Sequence, residues 1–339
     1  MDTLGVALLG LDHWYAAHDL ARQIAESPRA RLVAVADPDE RRARWTAETY
    51  GAGRWTTDYR TALDHPDVQV VATLTSTDRN LALVREAAAL GKHIISVKPM
   101  ALDMAGADLI VQTVRAAGVL LFPLECLGRL TPDRRRLKQW IAEGRIGQPL
   151  RFTHTLNSSL PQAWPGSTET GWWTEPARVP GGAWIDHAIY EVDTIRWLFD
   201  SAPVSVSGVV ANKRYPDLGM EDYGVAIFTL AGGLTALIED TWTADRGYGF
   251  SRREIIGSAG AICEDTSSWG RVSVRGNFGH EGWMALELLG RGHAGVVEHL
   301  VDHLRGEVPP IATVEDGRAN LAACLAFYEA ARTGRTVTL

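Results

Sequence analysis

The stretch Leu4-Gly-Val-Ala-Leu-Leu-Gly10 decides the fold, because it is a short apolar run that ends in a glycine turn. Similar runs follow at residues 32–36, 68–74, 93–97 and 119–124. Each is rich in Val, Ile or Leu and is bounded by Gly, Pro or Asp, as is typical of strands buried on both faces. Amphipathic stretches of helical length separate them, among them residues 82–90, which end at Gly91, and residues 104–117, which end at Gly118. This alternation predicts an α/β domain over residues 1–124 with a doubly wound parallel sheet.

The acidic residue Asp37 directly follows the second apolar run, Leu32-Val-Ala-Val-Ala. A carboxylate at this position of a βαβ unit accepts hydrogen bonds from the adenosine ribose of a dinucleotide and repels a 2′-phosphate. We therefore expect NAD as the cofactor, with NADP disfavoured. The preference is modest because Arg41 and Arg42 lie close behind.

The glycine turn departs from the dinucleotide-binding fingerprint G-x-G-x-x-G. Reading this pattern from Gly10 places Asp12 at the second glycine and Tyr15 at the third. The second glycine normally lets the backbone approach the pyrophosphate, and a carboxylate there repels that group. The motif alone leaves an ordinary strand–turn–helix unit open as an alternative.

The rest of the chain shows a different pattern and predicts a second domain over residues 125–339. Thr131 and Pro132 begin a helix that runs to about residue 143. Strand-like runs then follow at residues 150–155, 204–210, 225–230, 234–239, 254–256 and 271–275. Ala231-Gly-Gly233 is a hairpin signal. We expect an open, mostly antiparallel sheet covered by helices at about residues 182–199, 293–305 and 314–333.

Composition excludes several classes of protein. The net charge of −7 argues against a nucleic-acid partner, and the run Arg134-Arg-Arg136 is interpreted as a solvated helix face. No apolar stretch reaches the roughly 18 residues that span a bilayer. The three cysteines are far apart, which fits a reducing compartment. We therefore expect a cytoplasmic protein with no membrane partner.

Several later segments, read together, resemble the Gfo/Idh/MocA family, the glucose–fructose oxidoreductase and inositol dehydrogenase group. They are Gly91-Lys-His-Ile-Ile-Ser-Val-Lys98-Pro99, Gly144-Arg-Ile-Gly147, Gly181-Gly-Ala-Trp-Ile-Asp186, Asp193-Thr-Ile-Arg-Trp-Leu198, Glu315-Asp-Gly317 and Thr333-Gly-Arg-Thr-Val-Thr-Leu339. Their order and spacing match along essentially the whole chain. The resemblance implies a Rossmann domain, NAD(P), a sugar-like or polyol substrate, and a homodimer or homotetramer formed through the outer face of the second sheet.

The resemblance also implies site residues. Lys98 matches the lysine of the family's E-K-P motif, which hydrogen-bonds the reacting hydroxyl, and Val97 replaces its glutamate. Ser76 replaces a usual proline, Asn80 replaces a usual histidine, and His18 matches a family histidine. Together with their positions at strand ends, these matches lead us to expect cofactor contacts from the following residues. They are Gly10, Leu11, Asp12, His13, Asp37, Thr73, Thr75, Asn80, Lys98 and Pro99.

The catalytic residues expected from the resemblance are Lys98, Asp186 and Tyr190. Asp186 matches the family's aspartate, and Tyr190 stands where the family has its histidine base. Residues four apart on a helix share a face, so we expect Tyr190 rather than the adjacent His187 to accompany Asp186 into the cleft. Oxidation of an alcohol needs a proton acceptor, and Tyr190 can act as one if Lys98 draws off its proton.

The chain contains 12 tryptophans, of which Trp164, Trp172 and Trp173 cluster in one loop. Their faces can stack on a pyranose, although they can equally fasten a long loop onto the domain. The residues expected to contact substrate are Lys98, Arg129, Trp164, Trp172, Trp173, Asp186, His187 and Tyr190. His299 and His303 have the spacing of a metal pair but lack an evident third ligand, so we expect no metal.

Three functions remain open from the sequence. The first is an NAD(P)-dependent oxidoreductase that oxidises a secondary hydroxyl of a sugar, polyol or glycoside by hydride transfer. The second is an enzyme that retains its cofactor and uses transient oxidation for elimination or glycosidic cleavage. The third is a non-catalytic ligand sensor, favoured by the replacements at Val97, Tyr190 and Asn80 and opposed by Lys98 and Asp186.

Overall fold

The computed structural model describes residues 3–266, 271–287 and 295–339. The chain divides into two compact units. The first unit comprises Met1–Leu130, Gln162–Pro180 and His293–Leu321, and the second comprises Thr131–Pro161, Gly181–Gly292 and Ala322–Leu339. Each unit thus combines segments that are distant in sequence. The domain boundary at residue 124 stays a prediction.

The described elements alternate regularly through the first third of the chain. The helices are α1 (Trp14–Glu26), α2 (Glu40–Tyr50), α3 (Tyr59–Leu63), α4 (Thr77–Ala89), α5 (Met104–Ala117), α6 (Pro132–Ala142), α7 (Ala183–Leu198), α8 (Val296–Leu304) and α9 (Val314–Thr333). The strands are β1 (Leu4–Leu9), β2 (Ala30–Ala36), β3 (Arg54–Thr56), β4 (Val70–Thr73), β5 (His93–Ser96), β6 (Leu121–Pro123), β7 (Pro149–Asn157), β8 (Pro203–Ala211), β9 (Tyr223–Leu230), β10 (Thr235–Thr241), β11 (Phe250–Gly257), β12 (Gly260–Asp265), β13 (Arg271–Arg275), β14 (Met284–Glu287) and β15 (Val337–Thr338). Two 3₁₀ helices lie at Leu124–Leu130 and Gly171–Thr174.

The first unit contains a parallel six-stranded sheet with the order β3-β2-β1-β4-β5-β6. The order reverses between β1 and β4, and loops at the carboxyl ends of these strands form the usual ligand site of such sheets. Ala7, Leu8 and Leu9 on β1 are fully buried, which explains why the run is apolar without alternation. The predicted doubly wound parallel sheet is confirmed.

The second unit contains a nine-stranded sheet with the order β14-β13-β12-β11-β7-β10-β9-β8-β15. Among the described strands of this sheet, β7 and β10 pair in parallel and the other neighbours are antiparallel. Helix α7 packs on the sheet, and its Trp184 ring is fully buried against Phe228 and Phe327. The mostly antiparallel sheet is therefore confirmed, with one parallel pair at its centre.

Most predicted helix ends are confirmed. Gly118 caps α5 with a φ of 63°, and the Thr131 side chain accepts the Arg134 N–H at the start of α6. Helix α4 begins at Thr77, five residues before the predicted segment, since its first turn is polar and gave no apolar signal. The short strand β3 was not predicted because it is largely exposed. The predicted start of α8 at residue 293 lies outside the described residues.

Across the described ranges, no helix combines the length and hydropathy needed to cross a bilayer.

Candidate active site

The turn after β1 requires a glycine at Gly10. Its φ is +85°, in the left-handed region, and a Cβ placed there would lie 2.4 Å from the Thr75 Cγ2. The Gly10 N–H donates to the Ala36 carbonyl at 2.7 Å, which fixes the turn against the end of β2. The loops after β1, β2 and β4 therefore meet at one point. This close approach is what a dinucleotide site at the strand ends needs.

Asp37 is held by backbone N–H groups at that point. Its Oδ2 accepts the Leu11 N–H at 2.7 Å and its Oδ1 accepts the Asp39 N–H at 2.9 Å. Burial raises the pKa of the Asp37 carboxyl to about 6, although these two hydrogen bonds lower it. Each oxygen keeps further acceptor capacity, so the carboxylate can accept both hydroxyls of a ribose. The predicted ribose position thus has a carboxylate able to accept the ribose hydroxyls.

The carboxylate of Asp12 is partnered within the first unit. Its Oδ2 accepts the Ser76 N–H at 3.0 Å and lies 3.6 Å from the Arg178 Nη2. Arg178 also donates to the Ser76 Oγ at 2.8 Å. The charge that the sequence places in the glycine turn is therefore balanced by a guanidinium from the segment before α7.

Lys98 is 1% exposed and lies at the end of β5. Its Nζ is 5.3 Å from the centroid of the Trp173 ring. Trp173 stacks on Trp172 at 4.2 Å, and the His13 ring is 4.5 Å from Trp173. The fold thus brings together Lys98, Trp172, Trp173 and His13, which is the N-cap of α1. Most lysines are exposed, so a buried ammonium beside an aromatic ring indicates a functional lysine.

Asn80 and Thr73 form hydrogen bonds with each other and with neighbouring protein groups. The Thr73 hydroxyl donates to the Asn80 Oδ1 at 2.6 Å, and the Asn80 Nδ2 donates to the Ser96 Oγ and the Met100 carbonyl at 2.9 and 2.7 Å. Asn80 therefore ties β4, β5 and the loop that carries Lys98. Pro99, joined to Lys98 by a cis peptide, is buried in that loop. Cofactor contacts from these residues stay a prediction.

Two predicted substrate residues, Trp164 and Arg129, contact other side chains of the first unit. Trp164 packs on α1 and α2, with its ring 5.1 Å from His18 and 4.8 Å from the Arg42 guanidinium. Arg129 is buried, and its Nη2 donates to the Asp316 carboxylate at 2.9 Å. The structure assigns both side chains contacts that fasten segments of the first unit. Their contact with substrate stays a prediction.

The second unit contains a polar group on α7. The Asp186 carboxylate accepts the Trp242 Nε1–H at 3.2 Å and lies 3.3 Å from the His187 Nδ1. His187 is also 3.9 Å from the buried Asp240 on β10. The His187 ring therefore lies beside the Asp186 carboxylate, although the side chains of adjacent helical residues leave the helix in different directions. Tyr190 is half-buried one turn further along α7.

The start of α7 is fixed by Glu221. Its Oε1 accepts the Gly182 N–H at 2.9 Å, the Trp184 N–H at 3.3 Å and the Tyr328 hydroxyl at 2.6 Å. Burial raises the pKa of Glu221, against these hydrogen bonds. Because the N-cap Gly182 has no side chain, this distant carboxylate takes over the capping role and positions Asp186.

The middle of α7 is held by a buried ion-pair group. Arg253 on β11 bonds both Glu191 on α7 and Glu264 on β12, and Arg134 donates to Glu264 at 2.7 Å. Burial raises the pKa of Glu191, but the Arg253 charge, with His154 and Arg134, outweighs it and lowers the value to about 2. Burial lowers the pKa of His154 to about 4.

The sequence analysis did not identify Arg178, Asp240, Trp242 or Glu221. Asp240 carries a signal, since it is a charged residue on the helix-facing side of an alternating strand. Arg178 carries none, because its role depends on a loop that returns to the first unit.

The fold and these groups define an oxidoreductase with an NAD-binding Rossmann unit, and comparison with known proteins agrees. The family model described as "Oxidoreductase family, NAD-binding Rossmann fold" matches residues 4–124. The model described as "GFO/IDH/MocA C-terminal domain" matches residues 134–263. The chain belongs to the GFO/IDH/MocA family.

Individual relatives support the same conclusion. The scyllo-inositol 2-dehydrogenase (NAD(+)) of Bacillus subtilis (strain 168) is 26% identical over 343 residues, which cover 99% of this chain and 95% of that enzyme. The inositol 2-dehydrogenase of Rhizobium meliloti (strain 1021) is 30% identical over 266 residues, 78% of this chain and 76% of that enzyme. Levoglucosan dehydrogenase in complex with NADH and L-sorbose shares the fold, with a TM-score of 0.85 at 22% identity over 100% of this chain and 99% of its own.

Proposed function

We propose that the protein oxidises a secondary hydroxyl of a sugar, polyol or glycoside and transfers the hydride to NAD. The observation that carries this proposal is the buried Lys98 beside Trp173 at the carboxyl end of β5. An ammonium there can bond a hydroxyl, and the buried Trp173 ring lies beside it. The relatives' names, scyllo-inositol and inositol dehydrogenases, support the substrate class.

The residues divide the work by their chemistry. When bound, NAD supplies the nicotinamide that accepts a hydride. Asp37 holds the adenosine ribose, and Lys98 hydrogen-bonds the reacting hydroxyl and orients it. Asp186 and His187 form a carboxylate–imidazole pair able to accept the hydroxyl proton. Tyr190, one turn along the same helix, stays the acceptor predicted from the sequence.

The first experiment is a fluorescence titration of the purified protein with NADH and NADPH, using its tryptophans as donors. We expect saturable binding of NADH that is tighter than that of NADPH, followed by net NADH formation in a panel of sugars, polyols and glycosides with NAD⁺. Retained nucleotide with turnover but no net NADH would instead assign the transient-oxidation chemistry. If nucleotide-free protein binds neither cofactor, the oxidoreductase proposal is wrong for this chain and a sensor role takes its place.

NADH affinity should depend on pH through Asp37. Because the pKa of this carboxyl is raised to about 6, it is ionised and accepts ribose hydroxyls above pH 7 but is protonated below pH 6. The dissociation constant should therefore be flat above pH 7 and rise as the pH falls through about 6. In Asp37→Asn, the constant should increase about 10-fold and lose this dependence, as expected for hydrogen bonds to a charged group. Asp39→Asn removes a nearby charge and is the control: if it changes binding equally, Asp37 is not the ribose anchor.

We also propose that the outer face of the second sheet forms a homodimer or homotetramer interface. Val209 on β8 and Ile227 on β9 point to this face and are 56% and 42% exposed, beside Val225 and Leu237. Contiguous exposed apolar side chains of this kind are typical of protein–protein interfaces. Ile227→Arg should yield monomers in light scattering. A wild-type monomer would contradict the proposal.

A further inference from the structure

Two loop residues that depart from the family pattern, Asp12 and Ser76, are hydrogen-bonded to each other. Asp12, at the second glycine position, accepts the N–H of Ser76, at the usual proline position, at 3.0 Å. Proline has no N–H, so this bond requires the replacement at residue 76. Arg178 contacts both residues, at 3.6 Å from the Asp12 Oδ2 and 2.8 Å from the Ser76 Oγ. The two replacements and the arginine therefore act together.

The segment that carries Arg178 is fixed to the same loops by backbone groups. The Trp172 Nε1–H donates to the Asp12 carbonyl at 3.3 Å, and the Asp78 N–H donates to the Arg178 carbonyl at 3.3 Å. Ser76 is the N-cap of α4, yet its hydroxyl accepts the guanidinium instead of capping the helix. The arginine thus lies at the start of α4, next to the turn after β1.

The electrostatics of this point call for a cation. A diphosphate bound at the turn after β1 is stabilised by backbone N–H groups and by the positive end of α1, whereas Asp12 opposes it. Arg178 also lies 3.5 Å from Asp78 and 3.3 Å from Glu175. Its side chain is 25% exposed, and a guanidinium has five N–H donors, so it can bond these partners and an anion together.

We propose that Arg178 is a cofactor-binding residue that neutralises Asp12 and donates to the diphosphate of NAD. Contacts from the side chains of Asp12, Ser76 and Arg178 then take the place of the close backbone contact that a second glycine would allow. This inference rests on the proposed function, because it requires NAD at the Rossmann unit. It adds a residue from the segment 162–180 to the cofactor site and identifies the group that makes the altered turn compatible with a dinucleotide.

The test measures binding of NADH, ADP-ribose and adenosine to full-length variants by fluorescence or calorimetric titration. In Arg178→Met, affinity for NADH and ADP-ribose should fall at least about 10-fold, as expected for loss of a charge-assisted bond to phosphate. Adenosine has no phosphate, so its affinity should stay within about twofold. The dissociation constant of ADP-ribose should also become less sensitive to salt.

A double variant separates phosphate contact from simple neutralisation of Asp12. If Arg178 bonds the diphosphate, Asp12→Gly combined with Arg178→Met should bind ADP-ribose at least about fivefold more weakly than Asp12→Gly alone. Equal affinity of the two would overturn the proposal and leave Arg178 as a partner of Asp12 only. An equal loss for adenosine would also overturn it, since the site would then be generally disturbed.

Arg22→Met is the control, because Arg22 is also paired with carboxylates, those of Asp19 and Glu26, on the exposed side of α1. Its affinities should match the wild type. Thermal unfolding without nucleotide confirms that each variant is folded, and Arg178→Lys should recover part of the lost affinity. If the wild type binds neither NADH nor ADP-ribose, the proposed function itself fails, a result that the variants cannot imitate.

Discussion

Lys98→Met should lower the turnover number about 10³-fold, within the range for loss of a group that acts on the reacting proton and hydroxyl. Methionine preserves the length and apolar stem of lysine, so the buried position beside Trp173 remains filled. Only the ammonium is lost. NADH affinity should fall much less than turnover, because Asp37, the proposed ribose anchor, lies at another strand end.

The control for this variant is Lys92→Met, which removes a lysine from the opposite end of the same strand. The Lys92 Nζ donates to the Val68 carbonyl at 2.6 Å, so it has a structural role. Steady-state kinetics and NADH titration are measured for both variants. If Lys98→Met keeps more than a tenth of wild-type turnover, Lys98 is not the catalytic group.

Arg253→Met should lower the free energy of unfolding at pH 7 by about 3–5 kcal/mol, the usual cost of removing one partner from a buried ion pair. The carboxylates of Glu191 and Glu264 would remain buried, with Arg134 and His154 near them. Because Glu191 lies on α7, the variant should also loosen the helix that carries Asp186. Urea unfolding monitored by tryptophan fluorescence measures the loss.

The loss of unfolding free energy in Arg253→Met should become smaller at acidic pH. In the wild type the pKa values of Glu191 and Glu264 are lowered to about 2, because Arg253 and Arg134 outweigh the effect of burial. Their stabilising contribution is present above pH 4.5 and is lost as the pH falls toward 2. Without Arg253, burial favours the protonated carboxyls of Glu191 and Glu264. Protonation at low pH therefore removes the cost of burying these charges in the variant. The difference between variant and wild type should be smaller at pH 4 than at pH 7.

Arg252→Met provides the comparison for Arg253→Met. Arg252 is the neighbouring residue on β11, but it is exposed on the opposite face of the sheet. Its replacement should cost less than about 0.5 kcal/mol, as is usual for surface sites. An equal loss in both variants would mean that the strand, and not the buried ion pair, determines the effect.

Local patterns predicted the strands and helices that bury an apolar face. The bounds of α5, β1 and β13 were predicted to the residue, because Gly118, Gly10 and the alternation in residues 271–275 mark them. The exposed strand β3 and the polar start of α4 gave no such signal. The hydrophobic pattern thus predicts only those helices and strands that bury an apolar face.

The sequence suggests the candidate site where one residue type at a strand end indicates the chemistry. Asp37 and Lys98 are such residues: they follow β2 and β5, and their roles stay predictions. The proximity of His187 to Asp186 depends on side-chain rotamers, which helical periodicity does not specify. The contact of Arg178 with Asp12 depends on how a loop folds back across 166 positions of sequence, and no local pattern reports that.

The discontinuous first unit has a consequence for synthesis of the protein. Val296 and Leu300 on α8 are buried in the same apolar cluster as Leu20 and Ile24 on α1. A ribosome making about 5–20 residues per second needs roughly 10–40 s to pass from residue 130 to residue 321. During that interval the nascent Rossmann unit exposes the apolar surface that α8 later covers. Chaperones that bind such surfaces should therefore engage the growing chain until its last third has been translated.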